Sequence, residues 1–438
     1  MTPFWYECAG GNHLDNALRP TRTRYVVVLF MVTLAMVTYL DRACIAAMAP
    51  KIATEFGLDE GRMSWVFFSF IFAYALFEIP TARWADTRGA KSVLTRIVSW
   101  WSLFTMITAG AFSYSSLLVA RFLFGMGEAG AWPCVARVMS RWIPNRWRGT
   151  AKGIFFAGAY ASATLTAWLV PRLLHHISWR SILLVFGCFG IVWVGAWQRW
   201  FRDEPADHPD TNDAERALIL RDRPPIAPHP RGWPFWKNLL RQRNVLLLCI
   251  TYMPNCATFY FCITWLPTYL MKQHGFTDNE LGNLSALPLG LSVITQFLGG
   301  YISDRITKKH GIKAGRRTPG VLGYTLAAGF IFAAALSTAP VAAAVLIGLA
   351  VASCMLTTAP AWSTCVDIGR DHSATVGATM NTSGQIAAMA SAPIVGYSVK
   401  WFGDWNMPFW LLGALFLVGA LCWLFIDPEQ PVFALDQA

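Results

Sequence analysis

The stretch ARWADTRGAK, residues 82–91, decides the reading of this chain, because GYISDRITKKHG, residues 300–311, repeats its pattern in the other half. Each places an aspartate four residues after a small one, Asp86 after Ala82 and Asp304 after Gly300, and adds a basic cluster. Each follows an apolar run long enough to cross a bilayer as a helix. A single acidic-basic turn at a membrane edge arises by chance. Two in register point to a duplicated membrane unit.

Working outward, apolar runs recur at 25–49, 62–84, 92–112, 116–139, 150–171, 180–200, 243–270, 279–303, 319–337, 341–366, 374–399 and 406–426. The two matching loops follow the second and the eighth. Residues 201–241 break the series with DEPADHPDTNDAER and RDRPPIAPHPRG, a polar, proline-rich linker with room for a short surface helix over 212–222. The expected architecture is an all-α polytopic membrane protein. Twelve transmembrane helices form two pseudo-symmetric six-helix bundles, 25–200 and 242–427, with tails at 1–24 and 428–438.

Composition agrees. Of 438 residues, 55% are hydrophobic and 14% charged, whereas a soluble chain carries about a quarter charged residues. A net charge of +11 would suggest nucleic acid in a soluble protein, but no nucleic-acid partner is expected here. The basic residues fall in particular loops: Arg19, Arg22 and Arg24; Arg88, Lys91 and Arg96; Arg141, Arg146, Arg148 and Lys152; and six Lys and Arg in DRITKKHGIKAGRR. The excess of basic residues in cytoplasmic loops puts the linker and both termini in the cytoplasm of a cell inner membrane. The first 20 residues hold no apolar core of a cleavable signal, so the first span is expected to serve as an uncleaved one. Ten scattered cysteines without a CxxC pair, and eight histidines in loops or tails, offer no metal or cofactor site. HExxH, GxSxG and a glycine-rich phosphate loop are all missing from the sequence, which speaks against an enzyme.

At the two loops the sequence resembles the major facilitator superfamily. The family's pattern, G-x-x-x-D-R-x-G-x-K, is echoed by Ala82, Asp86, Arg88, Gly89 and Lys91, and by Gly300, Asp304 and Arg305. Ala82 in place of the first glycine is a mild departure. The resemblance implies that this loop latches the halves in one state of a transport cycle, with Asp86 and Asp304 meeting helix ends and arginines. YLDR at 39–42, RFLFGMGEAGAWP at 121–133, TWLPTYL at 264–270 and FRDEPADHP at 201–209 are similar to one branch, the anion:cation symporters of sugar acids and related organic anions.

The charges inside the spans carry the functional expectation. Arg42 lies about 12 Å from the outer end of span 1, and Arg121 about 9 Å from that of span 4, at 1.5 Å per residue. Two guanidiniums at one depth repel unless an anion lies between them, and their fork suits a carboxylate. Glu128, seven residues after Arg121, returns to the same helix face two turns deeper. An anion that occupies the arginine makes a neighbouring acid easier to protonate, so Asp41 and Glu128 offer a route to proton-coupled symport. The competing reading is two internal ion pairs, Asp41–Arg42 and Arg121–Glu128, that hold helices together.

The resemblance implies that the matching acids carry protons and the matching arginines hold the substrate carboxylate. It also implies substrate-binding roles for Tyr74 and Asn381, both near mid-membrane. Tyr39, Trp362, Ser363 and Thr364 are further pocket candidates, against the alternative of helix packing. Glu78, where a glutamine is common in relatives, is left without a ligand role and read as a snorkelling or gating charge. In sugar-acid relatives the entry of span 5 reads GIFNSxQY; here it is GIFFAGAY, residues 153–160. Phe156 and Ala159 thus replace two hydroxyl-binding amides, which weakens discrimination for polyols. The expected activity is proton-coupled import of an organic carboxylate, a sugar acid first and an aromatic or short dicarboxylic acid second. Export by proton antiport ranks lower, since span 5 lacks G-x-x-x-G-P-x-x-G-G. The expected partners are a small organic anion, a proton and the lipid bilayer, and the expected functional unit is a monomer.

Overall fold

The computed structural model describes residues 19–432 except 59, 222–232, 275, 277 and 403–405. The outer ends of both tails and the centre of the linker therefore lie outside the described residues. The described residues are helical throughout, without a strand. The first half comprises α1 (Thr23–Phe56), α2 (Glu60–Arg88), α3 (Ala90–Ala109), α4 (Tyr114–Glu128), α5 (Ala131–Trp142), α6 (Arg148–Leu173) and α7 (Trp179–Trp200). The linker carries α8 (Asp213–Leu220), where a short helix is expected, and a further helix, α9 (Trp233–Arg241). The second half comprises α10 (Arg243–Thr264), α11 (Leu266–His274), α12 (Asp278–Leu336), α13 (Pro340–Met355), α14 (Thr358–Gly369), α15 (Ser373–Phe402) and α16 (Met407–Phe425).

These helices account for twelve spans, with differences that follow from local chemistry. Span 4 is broken between α4 and α5, where Gly130 takes φ 89°, a left-handed value that only glycine adopts without strain. Span 10 is broken at the corresponding place, between α13 and α14. In both, proline is the third residue of the second piece, Pro133 and Pro360. There the missing N–H has no intrahelical partner to lose. Span 7 is divided between α10 and α11. Spans 8 and 9 run together as α12, bent at Gly311, whose φ is 86°.

The molecule is inside out relative to a soluble protein. Val192 and Leu336 are each 71% exposed, and Phe68, Phe72, Leu76, Leu417, Leu421 and Leu424 are also exposed. Arg121, Asp41, Glu78, Glu128, Lys152, Gln296 and Asn381 are buried. Apolar surface outside and ionisable groups inside suit a lipid solvent.

The linker is fastened to the first half. Fully buried Glu215 on α8 accepts hydrogen bonds from the backbone N–H groups of Thr23 (3.3 Å) and Arg24 (3.0 Å), and pairs with the Arg24 guanidinium at 3.0 Å. It thereby satisfies otherwise unpaired donors at the start of α1. Asp203 accepts from the Lys91 backbone N–H (2.9 Å) at the start of α3, and lies so close to Gly89 that a Cβ there would meet its carboxylate at 2.7 Å.

Candidate functional site

The candidate residues form three groups: a charged core in the first half, a carboxylate bridge between the halves, and a set of latches at the linker face.

The core forms where α1 meets α4. Arg42 Nε donates to Glu128 Oε1 at 2.5 Å. Glu128 is the last residue of α4, where the helix dipole disfavours an anion, and Arg42 offsets this. Arg42 and Arg121 flank one ring: each guanidinium carbon lies 5.3 Å from the centroid of Phe70. The two arginines therefore stand close together around one ring, as the expectation of a shared anion site requires. Arg121 is only 4% exposed and makes no ion pair or hydrogen bond among the described residues; its guanidinium rests on Phe70 and Phe124. Arg42 Nη2, Arg121 Nε and Glu128 Oε2 are buried polar atoms without a hydrogen-bond partner among the described residues. Neither internal pair weighed from sequence, Asp41–Arg42 or Arg121–Glu128, forms a close ion pair among the described residues, since Glu128 pairs with Arg42 instead. Adjacent residues on a helix point about 100° apart, so Asp41 turns away from Arg42. It is 1% exposed and lies beside Trp101 and Thr105.

The bridge joins α2 to α15. Glu78 accepts from Asn381 Nδ2 at 2.6 Å, from Thr382 Oγ1 at 3.0 Å and from the Tyr74 hydroxyl at 3.3 Å. Tyr74 and Asn381 thus meet, as placing both in one pocket requires, and the acid between them is the residue left without a ligand role. Glu78 is fully buried and does not snorkel. Its heptad-like spacing from Tyr74, i to i+4 on one face, was the available signal.

An aromatic wall continues from Arg42. Its guanidinium carbon is 5.8 Å from the ring centroids of Tyr39 and Trp132. Trp132 contacts Phe155 and Phe156, and Phe156 contacts Trp362, with centroids 4.8, 6.1 and 6.1 Å apart. Trp362 Nε1 donates to the Tyr252 hydroxyl at 3.0 Å. The Ser363 hydroxyl is buried without a partner among the described residues, while the Thr364 hydroxyl donates to Pro360 O of its own helix at 2.9 Å.

The latches lie at the face that bears the linker, and they come in pairs. Asp86 accepts from the backbone N–H groups of Ala374 (3.2 Å) and Thr375 (2.8 Å), at the start of α15. Asp304 accepts from Gly149 (2.9 Å) and Thr150 (2.5 Å), at the start of α6. Each carboxylate thus crosses to the other half and meets a helix N-terminus, which favours an anion. Gly300 and Gly149 permit the second approach: a Cβ on Gly300 would meet Gly149 O at 2.0 Å. Arg88 and Arg305 are exposed, and Arg305 donates to Tyr301 on its own helix. The arginines that meet acids here are others. Arg316 pairs with Asp304 (3.1 Å) and Asp367 (2.9 Å), Arg148 with Asp367 (3.2 Å), and Arg141 with Asp371 (2.6 Å). A cavity of about 370 Å³ opens at this face among Arg141, Arg148, Asp367, Arg370 and Asp371, apart from the Arg42–Arg121 core.

Two helical bundles, closed on each other at one face and holding an Arg42–Glu128 pair and a neighbouring arginine in their apolar interior, have the build of a secondary transporter. The chain belongs to the Major Facilitator Superfamily, which residues 31–392 match. It is 31% identical to a probable sulfoacetate transporter of Cupriavidus necator over 95% of this chain and 96% of that one. It is 29% identical to a probable galactarate/D-glucarate transporter of Bacillus subtilis over 92% and 90%. The fold matches the solved transporter FucP in its outward conformation with a TM-score of 0.71 at 12% identity, covering 93% of this chain and 100% of that one. It also matches the proton:xylose symporter XylE, with a TM-score of 0.72 at 12% identity and 94% and 98% coverage. The resemblance to the organic-anion carriers of the superfamily is thus borne out, and the protein is a multi-pass membrane transporter rather than an enzyme.

Proposed function

We propose that the protein is a proton-coupled symporter of an organic carboxylate anion, a sugar acid or a shorter diacid, working by alternating access in a cell inner membrane. The observation that carries this reading is the Arg121 guanidinium, buried beside the Arg42–Glu128 pair with no ion pair of its own. A buried guanidinium that shares its neighbouring acids with a second arginine and makes no close ion pair has donors left for an anion. The names of the relatives, sulfoacetate and galactarate/D-glucarate transporters, support the same class of cargo.

Coupling follows from competition for Arg42. While ionised, Glu128 holds Arg42; protonation releases it, and the substrate carboxylate takes its place between Arg42 and Arg121. Asp41, close behind, is the second proton site. With both charges neutralised the halves rock about the centre, the contacts of Asp86 and Asp304 break, and anion and proton leave together. The basic loops support a cytoplasmic linker face and cytoplasmic termini, so the conformation described is closed toward the cytoplasm. Tyr39, Tyr74, Trp362, Ser363, Thr364 and Asn381 complete the pocket, and the single chain is the transport unit.

The test is uptake into proteoliposomes under an inward proton gradient. The panel pairs a hexonate, a hexuronate and a hexarate with phthalate, 4-hydroxyphenylacetate and tartrate. Gradient-dependent accumulation of one of these anions is expected. Gradient-independent equilibration would remove the coupling, and failure to move any of them would refute the cargo class.

A further inference from the structure

Lys152 stands in sequence among the basic residues of a loop, yet it lies in the second turn of α6 and is 1% exposed. Its ammonium makes no ion pair or hydrogen bond among the described residues. It rests instead against two rings, 5.1 Å from the centroid of Trp362 on α14 of the opposite half and 5.7 Å from that of Phe155. Nearby acids are committed elsewhere: Asp367 to Arg148 and Arg316, Asp304 to Arg316 and to the start of α6. A desolvated cation gains attraction from an aromatic face. Taking an ammonium out of water costs more than that attraction returns. A buried lysine held only by rings either gives up its proton or draws a counterion from outside.

The same rings connect Lys152 to the arginine core. Trp362 contacts Phe156, Phe156 contacts Trp132, and Trp132 lies beside Arg42. Arg42 and Lys152 therefore stand at the two ends of one aromatic wall. The wall between them, Trp132, Phe156 and Trp362, is aromatic. Next to Trp362 in the chain, the Ser363 hydroxyl is buried without a hydrogen-bond partner among the described residues, and so are both polar atoms of the Gln296 amide. Gln296 packs through its backbone against Gly153, the residue after Lys152.

We infer that Lys152 is the second pole of the substrate site, and that the cargo is a small dianion with a weakly hydroxylated middle. One anionic group lies between Arg42 and Arg121; the other, a carboxylate or a sulfonate, reaches Lys152. This rests on the transport reading above and narrows its substrate class.

The test uses matched anions that differ only in the second charge: succinate against succinamate, sulfoacetate against 2-hydroxyethanesulfonate, and glucarate against gluconate, each in proteoliposomes under a proton gradient. In at least one pair, wild-type protein should favour the dianion about tenfold or more, the scale of a desolvated charge pair. Lys152→Met should bring that ratio toward one, and Lys152→Arg should keep it. Equal uptake of both members of every pair by wild-type protein overturns the inference even where Lys152→Met does not fold. So does an unchanged ratio in a folded Lys152→Met variant. Both of these results leave the transport reading standing, whereas transport of none of the six anions overturns both.

Discussion

Asp304→Asn tests the latch at the linker face with a change of one atom. The carboxylate accepts from Gly149 N–H and Thr150 N–H across the two halves, and from Arg316 within its own half. The cross-half bonds exist only while that face is closed, so their loss falls on that state alone. Asparagine offers one acceptor oxygen, so one of the two backbone donors loses its partner and the other loses the charge that strengthened its bond. Hydrogen bonds to a charged group contribute about 1.5–3 kcal/mol each. Losing one and weakening the second therefore costs the closed state about 2–4 kcal/mol. At 1.4 kcal/mol per decade, the closed-to-open ratio falls roughly 30- to 700-fold. Arg316 keeps Asp367 in either state, so it does not enter the difference. Spin labels at Thr87 and Lys309, both exposed, report the separation of the halves by double electron–electron resonance. The distance distribution should move outward in Asp304→Asn, and equally in Asp86→Asn. Distributions that superimpose on the wild type in both variants would refute the latch.

Arg121→Ala should abolish uptake while the protein still elutes as a folded species; retained uptake would mean the anion binds elsewhere. Glu128→Gln imitates the protonated acid, so it should exchange anion across the membrane yet lose accumulation driven by the proton gradient, and full accumulation would take Glu128 off the coupling path. Glu78→Ala strips Asn381 and Thr382 of their acceptor and should cost the closed state about 1–3 kcal/mol, the desolvation penalty of a stranded donor, read with the same label pair; no shift would mean the bridge does not bear on closure. Outside the spans, hydrogen bonds from Trp179 and Arg180 hold the Glu55 carboxyl below its usual range. Its contribution is thus present above that range and is lost as pH falls through the lowered value. Glu55→Gln should unfold at slightly lower temperature at neutral pH and approach the wild type as pH falls below that lowered value, and a difference that does not shrink in acid would argue for packing instead.

The spans were legible wherever an apolar run is uninterrupted, because a lipid solvent demands such a run and hydropathy measures it directly. The breaks in spans 4 and 10 were not. Hydropathy sums over residues, and Ala129 and Gly130 cost nothing on that scale although they end a helix. The proline two places into each second piece was the trace they left. Asp86 and Asp304 could be found because they repeat. Their acceptor role could not, because their partners are main-chain N–H groups 288 and 155 residues away. Main-chain donors have no letter in a sequence. Arg88 and Arg305 stand next to the aspartates in the chain but leave the helix on other faces, whereas Arg316, twelve residues from Asp304, comes back to it through the bend at Gly311. The candidate core came out better. Arg42, Arg121 and Glu128 assemble as helix geometry suggested, with the pairing rearranged because neighbours in a helix cannot face each other.

The carboxylate of Glu215 at the start of α1 also bears on how the protein is made. Thr23 and Arg24 lie 192 and 191 residues before their acceptor. A ribosome working at 5–20 residues per second delivers that acceptor roughly 10–40 s after it has delivered the donors. During that interval the first span must rest in the bilayer with its opening turn turned to water or headgroups. Five more spans are synthesised before α8 arrives to close it. The first half is thus sealed from its far end, and a chain cut short before the linker would carry a first span that never acquires its cap.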